Sequence, residues 1–442
     1  MKLKLTDFVK NSLLLSSGVG IAQVLPLVFY PILGRIFAVD EFGLLATLTA
    51  ITSILVVVST GKYEGGILIA DNKREAAALA VLSLLLAGVF LIVSYLVMQL
   101  LMAGALSRWL NEPGLYKWLF ICPLSAFSIV VFNVYNEWCV REKYFKALSV
   151  NKIVNSGAIV LGKLLCGLAK VVPQGLVVGD TAGRMVTAVV CWWRALRLDS
   201  AWFQQVTWAD IKTGARRYIE FPKYNMPGQL LNAVGMQAPL LLIAAFFNKT
   251  EVGYFSMAMA VFAIPITVIS GALRDVFRQR ANEDYKATGS CRQVYKKLVI
   301  PLSASALLAL LAFVWFLPWL TTLFLGNQWL VTGHYAQYLA PAMALSFVAN
   351  SMSGVFIVAE KLRALFYWQV YYVVSTLVAV IVGGYFCKSM TATVLLFSVL
   401  RGSAYLLSII MTYIISKGGG KSSSKLIAVS RCVAYNTKTK RK

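Results

Sequence analysis

Residues 42–61 read Phe42-Gly43-Leu44-Leu45-Ala46-Thr47-Leu48-Thr49-Ala50-Ile51-Thr52-Ser53-Ile54-Leu55-Val56-Val57-Val58-Ser59-Thr60-Gly61, with no charged side chain among them. As a helix rising 1.5 Å per residue, such a run is about 30 Å long, the thickness of a bilayer's hydrocarbon core. Similar runs follow one another and predict twelve helices, over 12–33, 42–61, 77–103, 116–136, 149–171, 175–194, 225–247, 252–273, 298–320, 337–358, 367–387 and 391–416. Of 442 residues, 59% are hydrophobic and only 14% charged, and the mean hydropathy is +0.72. A soluble domain carries about 25% charged residues, so an ordinary soluble enzyme is excluded. The expected fold is an all-α integral membrane protein with twelve transmembrane helices in two pseudo-symmetric six-helix lobes, 1–194 and 225–416. A cytoplasmic loop, 195–224, joins them, and a basic cytoplasmic tail, 417–442, follows. The first span is of full length and has no small-residue cleavage site, so it reads as a retained helix and not as a signal peptide.

The formal charge of +24, from 42 Lys and Arg against 18 Asp and Glu, then acquires a topological meaning. With both termini inside, 33 basic residues fall on cytoplasmic segments, six on outer loops (Arg35, Arg108, Lys117, Lys170, Lys249 and Lys388) and three within helices (Lys163, Arg184 and Arg401). Positive residues are retained in the cytoplasm, so the excess orients the chain and gives no reason to expect nucleic acid. The basic, amphipathic segments 195–224 and 274–297 and the tail are expected to meet anionic inner-leaflet lipids. Trp109, Trp118, Trp315, Trp319 and Trp329 cluster near the expected outer boundary, where indole rings favour the headgroup region. The longest outer loops, 104–115 and 321–336, leave no room for a catalytic domain.

Metal and enzyme chemistry are poorly supplied. The seven cysteines are scattered without a Cys-x-x-Cys pair, and the one histidine, His334, is expected in an outer loop, solvated. Gly420-Lys421-Ser422 imitates the end of a P-loop, but that motif needs glycine at 415, where Ile415 stands. No catalytic residue, metal or cofactor is expected.

The two halves echo each other at an offset of 210, which aligns Gly18 with Gly228, Glu41 with Glu251, Gly43 with Gly253 and Gly61 with Gly271. Asp40-Glu41-Phe42-Gly43 and Thr250-Glu251-Val252-Gly253 close the first hairpin of each half. Halves with an even number of spans share one orientation, an arrangement of secondary transporters that work by alternating access.

Charges inside the membrane are costly and mark partners or cavities. Asp180 and Arg184 are spaced to pair along one helix face, either as a structural ion pair or as part of a cavity. Lys163 and Arg401 have no obvious acid nearby and either line a cavity, or snorkel or reach a partner on another helix. Lys62 and Glu64 are enclosed by apolar sequence, and the repeat places Glu64 opposite Arg274, beside Asp275. These four are either an inner latch or helix-end anchors. Lys62, Lys163, Arg184, Arg274 and Arg401 are the candidate substrate-binding residues. Glu64, Asp180 and Asp275 are candidates for gating or ion coupling. A cationic lining suits a pyrophosphate.

Gly18-Val19-Gly20 with Pro26, Gly34-Arg35, Asp40-Glu41-Phe42-Gly43, and Gly61-Lys62-Tyr63-Glu64-Gly65-Gly66-Ile67-Leu68-Ile69-Ala70 together resemble the polysaccharide transporters of the MOP superfamily. More narrowly, they resemble bacterial O-antigen flippases of the Wzx type. The resemblance implies a two-lobed bacterial inner-membrane protein with a cationic central cavity. Its members move undecaprenyl-pyrophosphate-linked oligosaccharide from the cytoplasmic to the periplasmic leaflet, without enzymatic chemistry. Of the family's charged cavity residues, Lys62 and Glu64 lie in motif here. Glycan polymerase and chain-length machinery are the further candidate partners. Two other readings stay open: a small-molecule or drug antiporter of the same fold, which would want carboxylates in its helices, and a membrane glycan polymerase, which would want them on a sizeable outer loop.

Overall fold

The computed structural model describes residues 5–97, 116–169, 174–264, 266 and 269–418. Arg108, Trp109, Lys170, the 104–115 loop and the Gly420-Lys421-Ser422 stretch lie outside the described residues. Within them every regular element is a helix. The long ones are α1 (Leu5–Ile36), α2 (Val39–Ser59), α3 (Lys73–Val97), α4 (Ile121–Arg141), α5 (Phe145–Ala169), α6 (Gly175–Gln204), α7 (Trp208–Arg217), α8 (Met226–Phe246), α9 (Lys249–Ile264), α10 (Ser270–Thr288), α11 (Arg292–Phe313), α12 (Leu330–Met352), α13 (Leu362–Ile381) and α14 (Met390–Ser416).

The chain is a multi-pass membrane protein: among the described residues ten helices are long and apolar enough to cross a bilayer. Apolar side chains face outward on them, as Leu161 and Leu165 on α5 and Leu308 and Leu311 on α11 do. Such exposure suits lipid and not water. Two expected spans fall outside the ten for identifiable reasons. The 175–194 segment lies in α6, where Asp180 and Arg184 interrupt the apolar run. The 252–273 segment is divided between α9, of 16 residues, and the start of α10.

By its contacts the chain divides into one unit of Met1–Ile264, Leu317–Ala336 and Leu377–Val394, and another of Pro265–Phe316, Gln337–Thr376 and Leu395–Lys442. In the first, α5 packs along both α1 and α6, α4 packs on α3 and α6, and α2 lies against α8 and α9. The second has its core around Phe277, Tyr295, Met352 and Val355, where the Tyr295 hydroxyl donates to the Ile409 carbonyl at 3.0 Å.

Three loop expectations are corrected. Residues 321–336 are helical, through Leu317–Leu325, a turn at Asn327–Trp329 and the start of α12. Trp329 is fully buried within the protein there: its indole N–H donates to the Gly34 carbonyl at 2.8 Å and its ring stands edge-on to Phe42. Trp315 and Trp319 are exposed, and His334 is exposed but on α12. The 195–224 segment is also no open loop. Helix α6 runs on to Gln204 with a kink at Asp199, α7 follows, and a π-helical turn at Phe221–Asn225 leads into α8.

Polar contacts fix this segment to the first unit. Arg74 bonds Asp210 at 2.8 Å, and Arg217 pairs with Asp71 and with Glu75 at 2.9 Å. The Thr207 hydroxyl and amide, with the Arg74 guanidinium, hold the Asp210 carboxyl down to about 2, from 3.8. The contact is therefore fully formed above the ordinary carboxylate range and is lost only as pH falls towards 2. At the kink, Asp199 accepts from Lys73 at 3.2 Å and from the buried Trp138 indole at 3.0 Å, while Lys73 also holds Glu142 at 2.9 Å. Asp199→Ala strands the Trp138 N–H and leaves Lys73 one carboxylate. It is expected to cost about 2–3 kcal/mol, read as a lower melting temperature of the purified protein in detergent; an unchanged transition would contradict this account.

Candidate functional site

The site begins with glycines. Gly179 and Gly183 on α6 are spaced as small-xxx-small, the pattern that lets membrane helices approach closely. A Cβ on Gly179 would lie 2.5 Å from the Gly162 carbonyl oxygen on α5, and one on Gly162 would lie 2.4 Å from that of Gly179. Only hydrogens fit this crossing, and each glycine is followed in the chain by a charged residue. Lys163 and Asp180 are thus brought together, with Nζ 2.8 Å from Oδ1. Arg184, one turn on, places Nε 2.6 Å from Oδ2 of the same carboxylate.

The pairing of Asp180 with Arg184 is the one its spacing predicts. Lys163, which has no acid near it in the chain, reaches its partner on the neighbouring helix. The Gly179-x-x-x-Gly183 spacing is the signal that points to this crossing. One carboxylate between two cations leaves one positive charge in excess, and Asp180 is only 5% exposed. The three side chains border a cavity of about 320 Å³ within the first unit, which Tyr30, Thr49, Gln237 and Ser256 also line. Leu33, Phe42 and Met257 supply its apolar wall. Cation excess, hydroxyls and an amide are the donors that an anionic oxygen cluster requires.

Lys62 and Glu64 lie at the other end of α2. Gly61 and Lys62 both adopt left-handed backbone, with φ of 58° and 63°, and so turn the chain sharply after α2. Glu64 is satisfied within its own motif: Lys62 Nζ stands 3.3 Å away and the Thr60 hydroxyl donates to it at 2.5 Å. The next helical turn, Gly66–Ile69, is held by Arg141, which donates to the carbonyls of Ile67 at 2.9 Å and Ala70 at 2.7 Å. Lys62 and Glu64 border a second, wider cavity of about 510 Å³.

The second unit holds Arg401, on α14. Its Nε donates to the Tyr405 hydroxyl at 3.2 Å, and its guanidinium lies over the rings of Phe397 at 5.0 Å and Tyr372 at 5.2 Å. Aromatic faces stabilise the cation without neutralising it, and among the described residues Arg401 makes no ion pair. Arg274 is exposed on α10, and the side chain of Asp275 lies outside the described residues.

A family model described as polysaccharide biosynthesis protein matches residues 32–333. No curated protein matches the chain. Among solved structures, the fold is similar to that of a lipid II flippase MurJ in an inward closed conformation, with a TM-score of 0.68 and 12% identity over 91% of this chain and 90% of that one. It is also similar to an inward-facing multidrug resistance MATE family transporter of the MOP superfamily, with a TM-score of 0.62 and 16% identity over 91% of this chain and 94% of that one. A MOP superfamily transporter from Pyrococcus furiosus gives a TM-score of 0.60 and 15% identity over 92% and 96%. The fold is that of the MOP superfamily.

Proposed function

Because the chain belongs to the polysaccharide biosynthesis protein family, we propose that it is a flippase of the Wzx type. Its cargo is an undecaprenyl-pyrophosphate-linked oligosaccharide, an O-antigen or similar surface repeat unit, carried from the cytoplasmic to the periplasmic leaflet of a bacterial inner membrane. In this reading α6 and α9 also cross the bilayer, giving twelve spans in lobes 1–194 and 225–416 with both termini cytoplasmic. The lobes rock to expose the cavity alternately, and the polyprenyl tail stays in lipid.

The observation that carries this reading is the charge excess in the cavity bordered by Lys163, Asp180 and Arg184. A small cationic drug would be repelled by two cations against one carboxylate, whereas a pyrophosphate is attracted. Carrying the hydroxyls of an oligosaccharide through hydrocarbon unaided costs several kcal/mol each, and a polar-lined path removes that barrier. An inside-negative potential favours outward movement of the anion by about 2.3 kcal/mol per charge per 100 mV. Arg401, which among the described residues pairs with no carboxylate, is the second anion-binding candidate.

The test is transport of a fluorescent undecaprenyl-pyrophosphate oligosaccharide in proteoliposomes containing the purified protein. Lys163→Ala leaves Asp180 its Arg184 partner, so the fold is kept while the charge excess is removed. Lys163→Ala and Arg401→Ala are each expected to slow translocation at least about tenfold, a loss of roughly 1.4 kcal/mol in the barrier, at unchanged protein yield. Normal transport in both variants would refute the assignment.

A further inference from the structure

We propose that the wider cavity beside Lys62 and Glu64 is a separate glycan-binding subsite, which takes the uncharged, hydroxyl-bearing sugars of the cargo. This rests on the flippase reading above. The cavity's volume, about 510 Å³, lies within the range of small-molecule sites, roughly 300–1,000 Å³, and its chemistry differs from that of the smaller one. Lys62 and Lys152 face Glu64 and Glu137, so the charges cancel where the other cavity keeps an excess. The remaining polar lining consists of amides, from Asn133, Asn136, Asn225 and Gln229. An amide both donates and accepts, as a sugar hydroxyl does. A net-neutral wall of amides and carboxylates matches a neutral glycan and gives a phosphate no preference.

These groups are also free to bind. Asn133, Glu137 and Lys152 stand half-buried at the cavity wall and make no hydrogen bond or ion pair among the described residues. Asn136 accepts from Asn151 at 3.4 Å and keeps its amide hydrogens. Asn225 accepts from Gln229 at 2.9 Å, which leaves the Gln229 carbonyl oxygen open. Their open donors and acceptors are available to the hydroxyls of a sugar.

The two cavities lie along the same helices. On α5, Lys152 borders one and Lys163 the other, a step of roughly 16 Å at 1.5 Å per residue. On α8, Gln229 and Gln237 do the same over roughly 12 Å. A pyrophosphate held at Lys163 and Arg184 would therefore leave its attached sugars beside the amides. In the proposed orientation this is the cytoplasmic end, where the loaded lipid arrives. The cargo would be read twice, once for its phosphates and once for its glycan.

The experiment uses the purified full-length protein in nanodiscs. Undecaprenyl pyrophosphate, and the same lipid carrying each of a panel of neutral trisaccharides, are titrated by tryptophan fluorescence. At least one panel member is expected to bind about tenfold tighter than the bare lipid, the equivalent of about 1.4 kcal/mol. Asn133→Ala with Asn136→Ala, which changes no charge and removes only the 3.4 Å contact with Asn151, should abolish that gain and leave the bare lipid unaffected. Lys163→Ala should weaken bare and loaded lipids by the same factor. The subsite is overturned if no panel member gains over bare lipid, if the double variant keeps the gain, or if it weakens bare lipid equally. Should the wild-type protein bind neither lipid, the flippase reading itself fails, and the subsite with it.

Discussion

Asp180→Ala is expected to be the most damaging single change at the cation-rich cavity, and damaging to the fold before it is damaging to transport. The carboxylate holds Lys163 at 2.8 Å and Arg184 at 2.6 Å, at a position that is almost wholly buried. Removing it leaves two cations facing each other across the close crossing of α5 and α6, with no carboxylate between them. Breaking a buried pair in this way costs about 3–5 kcal/mol, a large part of the stability of most proteins. The variant should therefore be recovered from membranes in much lower yield, with a lowered melting temperature in detergent. The control is Asp180→Asn with Lys163→Met, which removes one charge of each sign and leaves Arg184 beside a hydrogen-bonding amide. The double variant keeps the single positive excess on Arg184, so recovery of both yield and lipid transport is expected, and recovery of yield alone would show that Lys163 itself, and not the net excess, binds the cargo. Full stability of Asp180→Ala alone would show that the carboxylate is not what holds the two cations.

The contrast between Asp180 and Lys163 also shows how far a sequence reading reaches. The spans are legible because an uncharged apolar run of bilayer length is rare in a soluble domain, and the Asp180 to Arg184 pair follows from helix spacing alone. Lys163 is recognisable as an intramembrane charge, but its acid lies on another helix, and no periodicity within α5 reveals it. The glycines do carry that information, since Gly162 precedes Lys163 while Gly179 and Gly183 precede Asp180 and Arg184. The 321–336 segment misleads for the opposite reason. Gly326 and Asn327 look like a loop, and nothing local announces that Trp329 finds its hydrogen-bond acceptor at Gly34, far away in the chain. The amides Asn133, Asn136 and Gln229 are likewise silent, because uncharged polar residues are common in membrane helices and only the fold gathers them round one cavity.

Gly43→Ala should have the other large effect, because it strikes the place where the repeat meets itself. The offset that pairs Gly43 with Gly253 also pairs Val39 with Lys249. A Cβ on Gly43 would lie 1.7 Å from the Lys249 carbonyl oxygen, and a Cβ on Gly253 would lie 2.2 Å from the Val39 carbonyl oxygen. Both obstacles are backbone, so no rotamer change relieves them, and α2 and α9 must move apart. Overpacking of this kind typically costs about 1–3 kcal/mol, and here it is charged to one conformation only, the one in which these helix ends touch. If alternating access works by parting them, the substitution shifts the population towards the parted state. Ser256, on α9, lines the Lys163 cavity and reports on it when changed to cysteine in a background lacking the seven native cysteines. In the proposed orientation, labelling of Ser256→Cys by a membrane-impermeant maleimide added from the outer side should rise several-fold when Gly43→Ala is introduced, and Gly253→Ala should act in the same direction. Unchanged labelling in both, with the protein still folded, would mean that this contact is a fixed part of the scaffold and that the cavity opens elsewhere.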